Sequence, residues 1–478
     1  MEKLPESLPL RFLRSAKRRW SAFAMADSTG KELTFGKALT GSRILARFVR
    51  ELCPNDRMVG IMMPPTVGGV LCNIGVSLTG KVPVNLNFTA GTEAMNAAIE
   101  QCDIRAILTS RLFLEKANLP EMNGMVFLED LMPKVSAPRK LFTALQSKLL
   151  SPEKLFSLDN CKNHKPDELA AVIFSSGSTG MPKGIMLSHV NIMAVVEGVK
   201  ERMHLTEDDR IMGVLPLFHS FGFTATIWLP LVTGFGAVYH PKPMDSKIIG
   251  ELVEKYKATL IVSTPTFYAG YIRRCSEREF SSLRIAMSGA EKLRQKVAAD
   301  FKEKFNLDIV EAYGSTEMAP GISTNSLCVD GYYRRGTVGK PFPGVEAKIV
   351  SRDSGEDMPP GEEGLLLVKG KNRMVGYLHN PELTAQVFRG QWYFTGDIAK
   401  IDEDGFITIT DRLSRFSKIA GEMVPHMKVE EAINELLDED CCAVTGVPDD
   451  KKGERLVALY AKPDTEPEEI CEKLAQTS

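Results

Sequence analysis

The feature that most limits what this chain can become is an alternation. Short apolar runs recur, each followed by a stretch with helical spacing. Residues 42–52 put Ile44, Leu45, Phe48 and Leu52 on one helical face. Residues 57–63 (RMVGIMM) read as a strand, 70–78 as a helix, 82–84 as the start of a strand and 105–109 (RAILT) as another apolar run. The pattern resumes after Lys165 with a strand at 170–174, a helix from 188, a strand at 260–263 and a helix at 266–274. A strand at 285–288 and a helix around 295–305 continue it. Apolar strands alternating with helices predict parallel sheets covered by helices on both faces.

Beyond Gly336 the texture changes to Gly, Pro and short alternating strands such as GLLLVKG. The run WYFTGDIAKIDEDGFITITDR reads as two strands joined at Asp404-Gly405, a hairpin signal. After Arg412, MKVEEAINELL reads as a helix and CAVTGVP as a strand. A chain of 478 residues is too long for one ordinary domain. The expected fold class is α/β. A large N-terminal body, 1–411, would hold two helix-covered β-sheet subdomains plus a small β-barrel-like unit at about 336–411. A small, mobile α+β domain, 412–478, would follow, and it reads as partial.

Composition removes several functions. Hydrophobic content of 44% and charged content of 25% describe a soluble globular protein. A formal net charge of -2 gives no electrostatic reason for a nucleic-acid partner. The nine cysteines show no CxxC and the seven histidines no HExxH. Scattered thiols of this kind are expected to be reduced, in a cytoplasmic protein. The N-terminus has no uninterrupted apolar core of a signal peptide. The most apolar stretch, 213–239, is broken by Pro216, His219, Ser220 and Pro230, so it is expected to form buried strands and loops rather than a membrane span.

One loop carries chemistry. SSGSTGMPKG, 175–184, lies between the apolar strands AAVIF and GIML. A Walker A loop needs a different spacing and runs directly into a helix. Still, glycines let the backbone approach a ligand closely, successive amides can form an anion nest, and hydroxyls with Lys183 add donors. A flexible surface loop is the bland alternative. The flanking strands and the closing Pro-Lys-Gly favour phosphate.

With this loop the sequence resembles the AMP-forming adenylating enzymes, a superfamily that includes acyl-CoA synthetases, luciferases and peptide-synthetase adenylation domains. Three further stretches are similar to its signatures, in order: AYGSTEM (312–318), WYFTGDIA (392–399) and DRLSRFSKIAGEMV (411–424). Together they span roughly Leu33 to the C-terminus.

The resemblance implies ATP, Mg²⁺ and a thiol co-substrate, and it implies roles. The loop Ser176, Gly177, Ser178, Thr179 and Gly180, with Lys183, would hold the β- and γ-phosphates. Thr316 would contact the α-phosphate and Glu317 would hold Mg²⁺. Asp397 and Arg412 would bind the ribose hydroxyls. Gly289, Ala290 and Glu291, with Tyr313, Gly314 and Ser315, would line the adenine and the start of an acyl channel. His219, in PLFHSFG, matches a position near the carboxylate, although a lone buried histidine is often structural. Thr316, Glu317, His219 and Lys183 form the expected catalytic set. Asp411 would be the hinge of the mobile domain, with Gly421 and Lys418 along the thiol tunnel; a solvated lysine fits Lys418 equally.

LPLFHSFGFT, SGAEKL and RFSKIAGEMV look most like bacterial acyl-acyl carrier protein synthetases. That implies a long-chain fatty acid as substrate and a phosphopantetheine thiol, on acyl carrier protein or CoA, as acceptor. Residues 134–154 carry five basic residues against one acid, with apolar LF and LL pairs. They suit peripheral docking on an anionic inner membrane face or an acidic carrier protein, and equally a solvated helix. One departure stands out. The superfamily has a catalytic lysine in a Gly-Lys context near the end of the small domain. This sequence ends at Ser478 without that motif, and Lys473 has the wrong neighbours. Either the sequence is truncated or the tail is lost. The second case leaves a catalytically impaired fatty-acid and nucleotide binder as the alternative.

Overall fold

The computed structural model describes residues 6–159, 165–175, 182–419, 422–437, 439, 441–449, 453–462, 466–467 and 470. The chain divides into two compact units. One comprises 1–346 and 368–393, the other 347–367 and 394–478. Strands Val345–Val350, Gly364–Gly370 and Trp392–Ile401 carry the chain from one to the other.

Among the described residues, the first unit is built on a nine-stranded and a four-stranded sheet. In the larger, strands Phe23–Asp27, Gly236–Tyr239, Arg210–Gly213, Leu260–Ser263, Ile285–Ser288 and Ile309–Gly314 lie side by side and parallel. In the smaller, Val82–Asn85, Met58–Ile61, Ile107–Thr109 and Met125–Phe127 are also parallel. These are the two helix-covered sheets that the alternation predicts. Their strands are buried along nearly their whole length, as parallel strands sandwiched by helices must be.

Strands Leu169–Ser175 and Lys183–Ser188 pair antiparallel, with Ser175 opposite Lys183. The phosphate-loop sequence therefore joins two strands, and loop residues 176–181 lie outside the described residues. Gly376–Tyr377 adds to the far side of Lys183–Ser188. The helix His189–Arg202 starts in a capping box, in which Ser188 N donates to Asn191 Oδ1 at 2.8 Å and Asn191 N donates to Ser188 Oγ at 3.2 Å.

The 213–239 stretch departs from expectation. Between its two strands the chain is helical through 220–233, with a π-turn at Phe223–Trp228 and a last turn at Leu229–Thr233. The stretch shows no amphipathic period because it is buried almost all round, Trp228 completely. Pro230 does not break the helix because it stands in the first turn of its last segment. Gly222 is required: a Cβ there would lie 2.1 Å from the Pro216 carbonyl oxygen.

In the second unit, Phe416–Ile419, Glu422–Pro425, Gly453–Tyr460 and Cys442–Asp449 form an antiparallel sheet. Helix His426–Leu437 packs against it through Ile433 and Leu437, which meet Val444. The expected hairpin is present: Trp392–Ile401 pairs antiparallel with Ile407–Arg412.

Candidate functional site

The candidate site gathers at strand ends. In a parallel sheet every strand ends at the same edge, so loops from several strands meet there. Tyr268 stiffens that edge. Its ring packs edge-on to Phe301 at 5.2 Å, and its hydroxyl donates to the carbonyls of Met287 and Ile261 at 2.9 and 3.1 Å. Strand Ile285–Ser288 is thereby fixed just before Gly289.

Three predicted stretches converge here. Ser220 Oγ lies 3.0 Å from Thr316 Oγ1, which joins the PLFHSFG turn to the AYGSTEM turn. A Cβ on Gly289 would come within 3.0 Å of the Phe221 ring and 3.3 Å of the Ala312 carbonyl. Ala290 follows with a left-handed φ of +70°. Glu291 accepts from Thr266 Oγ1 at 2.8 Å. Tyr313 is half-buried on strand Ile309–Gly314. A Cβ on Gly314 would sit 1.8 Å from the Pro320 carbonyl oxygen, so no other residue fits. Ser315 Oγ is buried without a partner among the described residues.

His219 caps the helical stretch that begins at Ser220, its Nδ1 accepting from Phe221 N at 3.3 Å. That bond places the ring proton on Nε2 in the neutral form. The ring keeps contact with solvent, yet crowding around it lowers its pKa below the ordinary histidine value.

A residue outside the motifs, Tyr377, reaches Glu317 from the strand that pairs with Lys183–Ser188. The Tyr377 hydroxyl donates to Glu317 Oε1 at 2.8 Å, and Tyr377 lies opposite Ile185 on the strand of Lys183. Burial, and then the neighbouring Glu317 charge, push the Tyr377 pKa far up, so it stays a donor. Glu317 is also fixed through its backbone, whose carbonyl accepts from Met374 N at 2.7 Å. A cavity of about 340 Å³ is lined by Lys183, Gly184, Tyr377, His379 and Gln101, among others. The signal for Tyr377 was present as GYLHNPE, a Gly-Tyr ahead of a helix start.

A second residue outside the motifs is Glu311, two residues before Tyr313. Burial raises its carboxyl pKa to about 7, opposed by the charge of Lys292.

The other predicted residues belong to the second unit. Asp397 is buried and lies opposite Arg412 across the hairpin, where Arg412 Nε donates to Asp397 Oδ1 at 3.1 Å. Asp411 is buried next to it. Its Oδ1 accepts from Arg412 N at 2.7 Å, and burial raises its pKa. Lys418 pairs with Met423 in the sheet, and Gly421 lies outside the described residues.

Fold and site together place the converging motifs at the strand ends of an α/β body. The AMP-binding enzyme family model matches residues 12–378, and the chain belongs to that family. It is 29% identical over 506 residues to a long-chain-fatty-acid–CoA ligase of Bacillus subtilis (strain 168), covering 97% of this chain and 89% of that protein. It is 27% identical to 4-coumarate–CoA ligase 1 of Narcissus pseudonarcissus, covering 91% of this chain and 80% of that one. The fold is also that of o-succinylbenzoate CoA synthetase from Bacillus subtilis, solved with its acyl-adenylate intermediate. The TM-score is 0.82 at 22% identity, over 98% of this chain and 92% of that one.

Proposed function

We propose that this enzyme activates a long-chain fatty acid with ATP to an acyl-AMP and passes the acyl group to a phosphopantetheine thiol, on CoA or an acyl carrier protein. The carrying observation is the Lys183–Tyr377–Glu317 arrangement beside the Ser220–Thr316 contact, in a chain of the AMP-binding enzyme family. The likeness over nearly the full length to a ligase of long-chain fatty acids supports the acid class.

In the first half-reaction a carboxylate oxygen of the acid bonds to the α-phosphorus. The bond from that phosphorus to its bridging oxygen breaks, and pyrophosphate leaves. Lys183 and the 176–180 loop grip the phosphates that depart, and Thr316 orients the α-phosphate. Tyr377 holds one oxygen of Glu317, which fixes the carboxylate. Glu317 would hold Mg²⁺, a hard cation that suits a carboxylate oxygen and would supply neutralisation of phosphate charge. Neutral His219 offers Nε2–H to the acid without adding a charge. The small backbone at Gly289, Ala290 and Gly314, with Glu291, Tyr313 and Ser315, lines the adenine and the channel mouth, and Asp397 with Arg412 takes the ribose.

In the second half-reaction the thiolate sulfur bonds to the acyl carbon, the carbon–oxygen bond to phosphate breaks, and AMP leaves. The functional division lies at Asp411, with 1–411 as the adenylating body and 412–478 as a lid turning about it. Gly421 and Lys418 border the path of the thiol arm.

The test is ATP–pyrophosphate exchange with acids graded from acetate to stearate, followed by transfer to CoA or to a phosphopantetheinylated carrier. Exchange rising with chain length supports the reading. Exchange only with aromatic or short acids overturns the acid class. Tight ATP binding without any exchange would give the chain to a fatty-acid and nucleotide binder.

A further inference from the structure

Helix Ala137–Leu149 is turned inside out. Leu141, Phe142, Leu145 and Leu149 are 62%, 62%, 48% and 76% exposed. At 3.6 residues per turn these four fall within an arc of about 100°, and Ser147, completely buried, lies on the opposite side. An ordinary surface helix does the reverse. The next helix, Pro152–Leu158, behaves normally: Leu155 is fully buried in the core and Phe156 packs against it.

Polar contacts hold the inverted helix in place. Arg43 Nη1 donates to Ser147 Oγ at 3.0 Å while its Nε pairs with buried Asp159 at 2.7 Å. Lys17 Nζ donates to the carbonyls of Ser147 and Lys148 at the helix end. The apolar face contributes nothing to this attachment and is left for something else.

The charges say for what. Arg139 and Lys148 flank the apolar arc on its two sides, and Lys134 and Lys154 lie just beyond the helix ends. Among the described residues no carboxylate is within ion-pair distance of Arg139, Lys140, Lys148 or Lys154. The one acid of the stretch, Glu153, is neutralised by Arg14 at 3.1 Å. We infer that this helix docks in the plane of an anionic lipid bilayer. Leucine and phenylalanine would enter the boundary between headgroups and acyl chains, and the cations would meet lipid phosphates. A convex row of large aliphatic side chains rimmed by cations fits a lipid surface better than an acidic protein, which would leave the leucines uncovered. The inference goes beyond the catalytic reading and does not depend on it.

Sedimentation of the full chain, without ATP, with vesicles of phosphatidylcholine alone or mixed with phosphatidylglycerol tests this. Binding to the anionic vesicles, weakened by salt and at least tenfold weaker on neutral ones, is expected. R139A/K148A is expected to weaken it about 25-fold, near fivefold for each cation removed. L141S/L145S is expected to weaken it at least tenfold. All four residues are exposed, so circular dichroism and ATP binding should match those of the unaltered chain. Failure to bind anionic vesicles, or variants that bind like the unaltered chain, would overturn the inference. So would lipid-free dimerisation that L141S/L145S abolishes, or saturable binding of an acidic carrier protein through the same leucines.

Discussion

The Tyr377 hydroxyl reaches Glu317 Oε1 at 2.8 Å from the strand that pairs with Lys183–Ser188. One buried phenol thus couples the strand that closes the phosphate loop to the carboxylate expected to hold the metal. Tyr377→Phe removes the bond and almost no volume. A lost hydrogen bond to a charged group costs about 1.5–3 kcal/mol. The expected result is a 10- to 100-fold fall in the kcat/KM of AMP formation, with a raised Mg²⁺ requirement and a thermal midpoint lowered by no more than a few degrees. Glu317→Gln is expected to abolish Mg²⁺-dependent adenylation outright while the protein stays folded. Unchanged AMP formation in the glutamine variant would remove Glu317 from the mechanism.

Asp397 is buried on its hairpin with the guanidinium of Arg412 beside it. Asp397→Ala removes the proposed ribose acceptor and the carboxylate beside Arg412. ATP affinity is expected to fall by about 1.5–3 kcal/mol, the scale of a charge-assisted hydrogen bond. Calorimetric titration with ATP measures this, and an unaltered affinity would count against the ribose assignment.

Gly314 has no room for a methyl group. A Cβ would stand 1.8 Å from the Pro320 carbonyl oxygen, which is backbone and cannot swing away. Gly314→Ala is expected to push strand Ile309–Gly314 and the turn at Thr316 apart, at a cost of roughly 1–3 kcal/mol for overpacking. A lowered thermal midpoint together with lost ATP binding would show it.

Glu311 gives a pH signature. Burial raises its folded-state pKa to about 7, above the ordinary carboxylate value that it regains on unfolding. Between those two values the folded state binds more proton than the unfolded state, so stability falls as pH rises through this window. Glu311→Gln cannot ionise and is expected to flatten the decline. Denaturation midpoints measured from about pH 4.5 to 7 compare the two proteins, and parallel curves would assign the slope to other groups.

The alternation of apolar runs determined the two parallel sheets, because strands buried on both faces need near-continuous hydrophobic sequence and leave that mark. Local turn chemistry determined the Asp404-Gly405 hairpin and the helix start at Ser188. The family-like motifs also marked Thr316, Glu317, Asp397 and Arg412, because each lies inside a contiguous signature that can be read without the fold. Long-range packing is what a linear reading lacks. The helix through 220–233 was hidden because complete burial erases the amphipathic period. Tyr377 was passed over because its partner, Glu317, is distant in sequence and only the pairing of Gly376–Tyr377 with Lys183–Ser188 brings them together. Residues 134–154 showed their charge in the sequence, but which way Leu141, Phe142, Leu145 and Leu149 face was decided by the polar anchors at Arg43 and Lys17. Those anchors come from helices far upstream, and their hydrogen bonds fix the rotation of a helix whose own composition left it open.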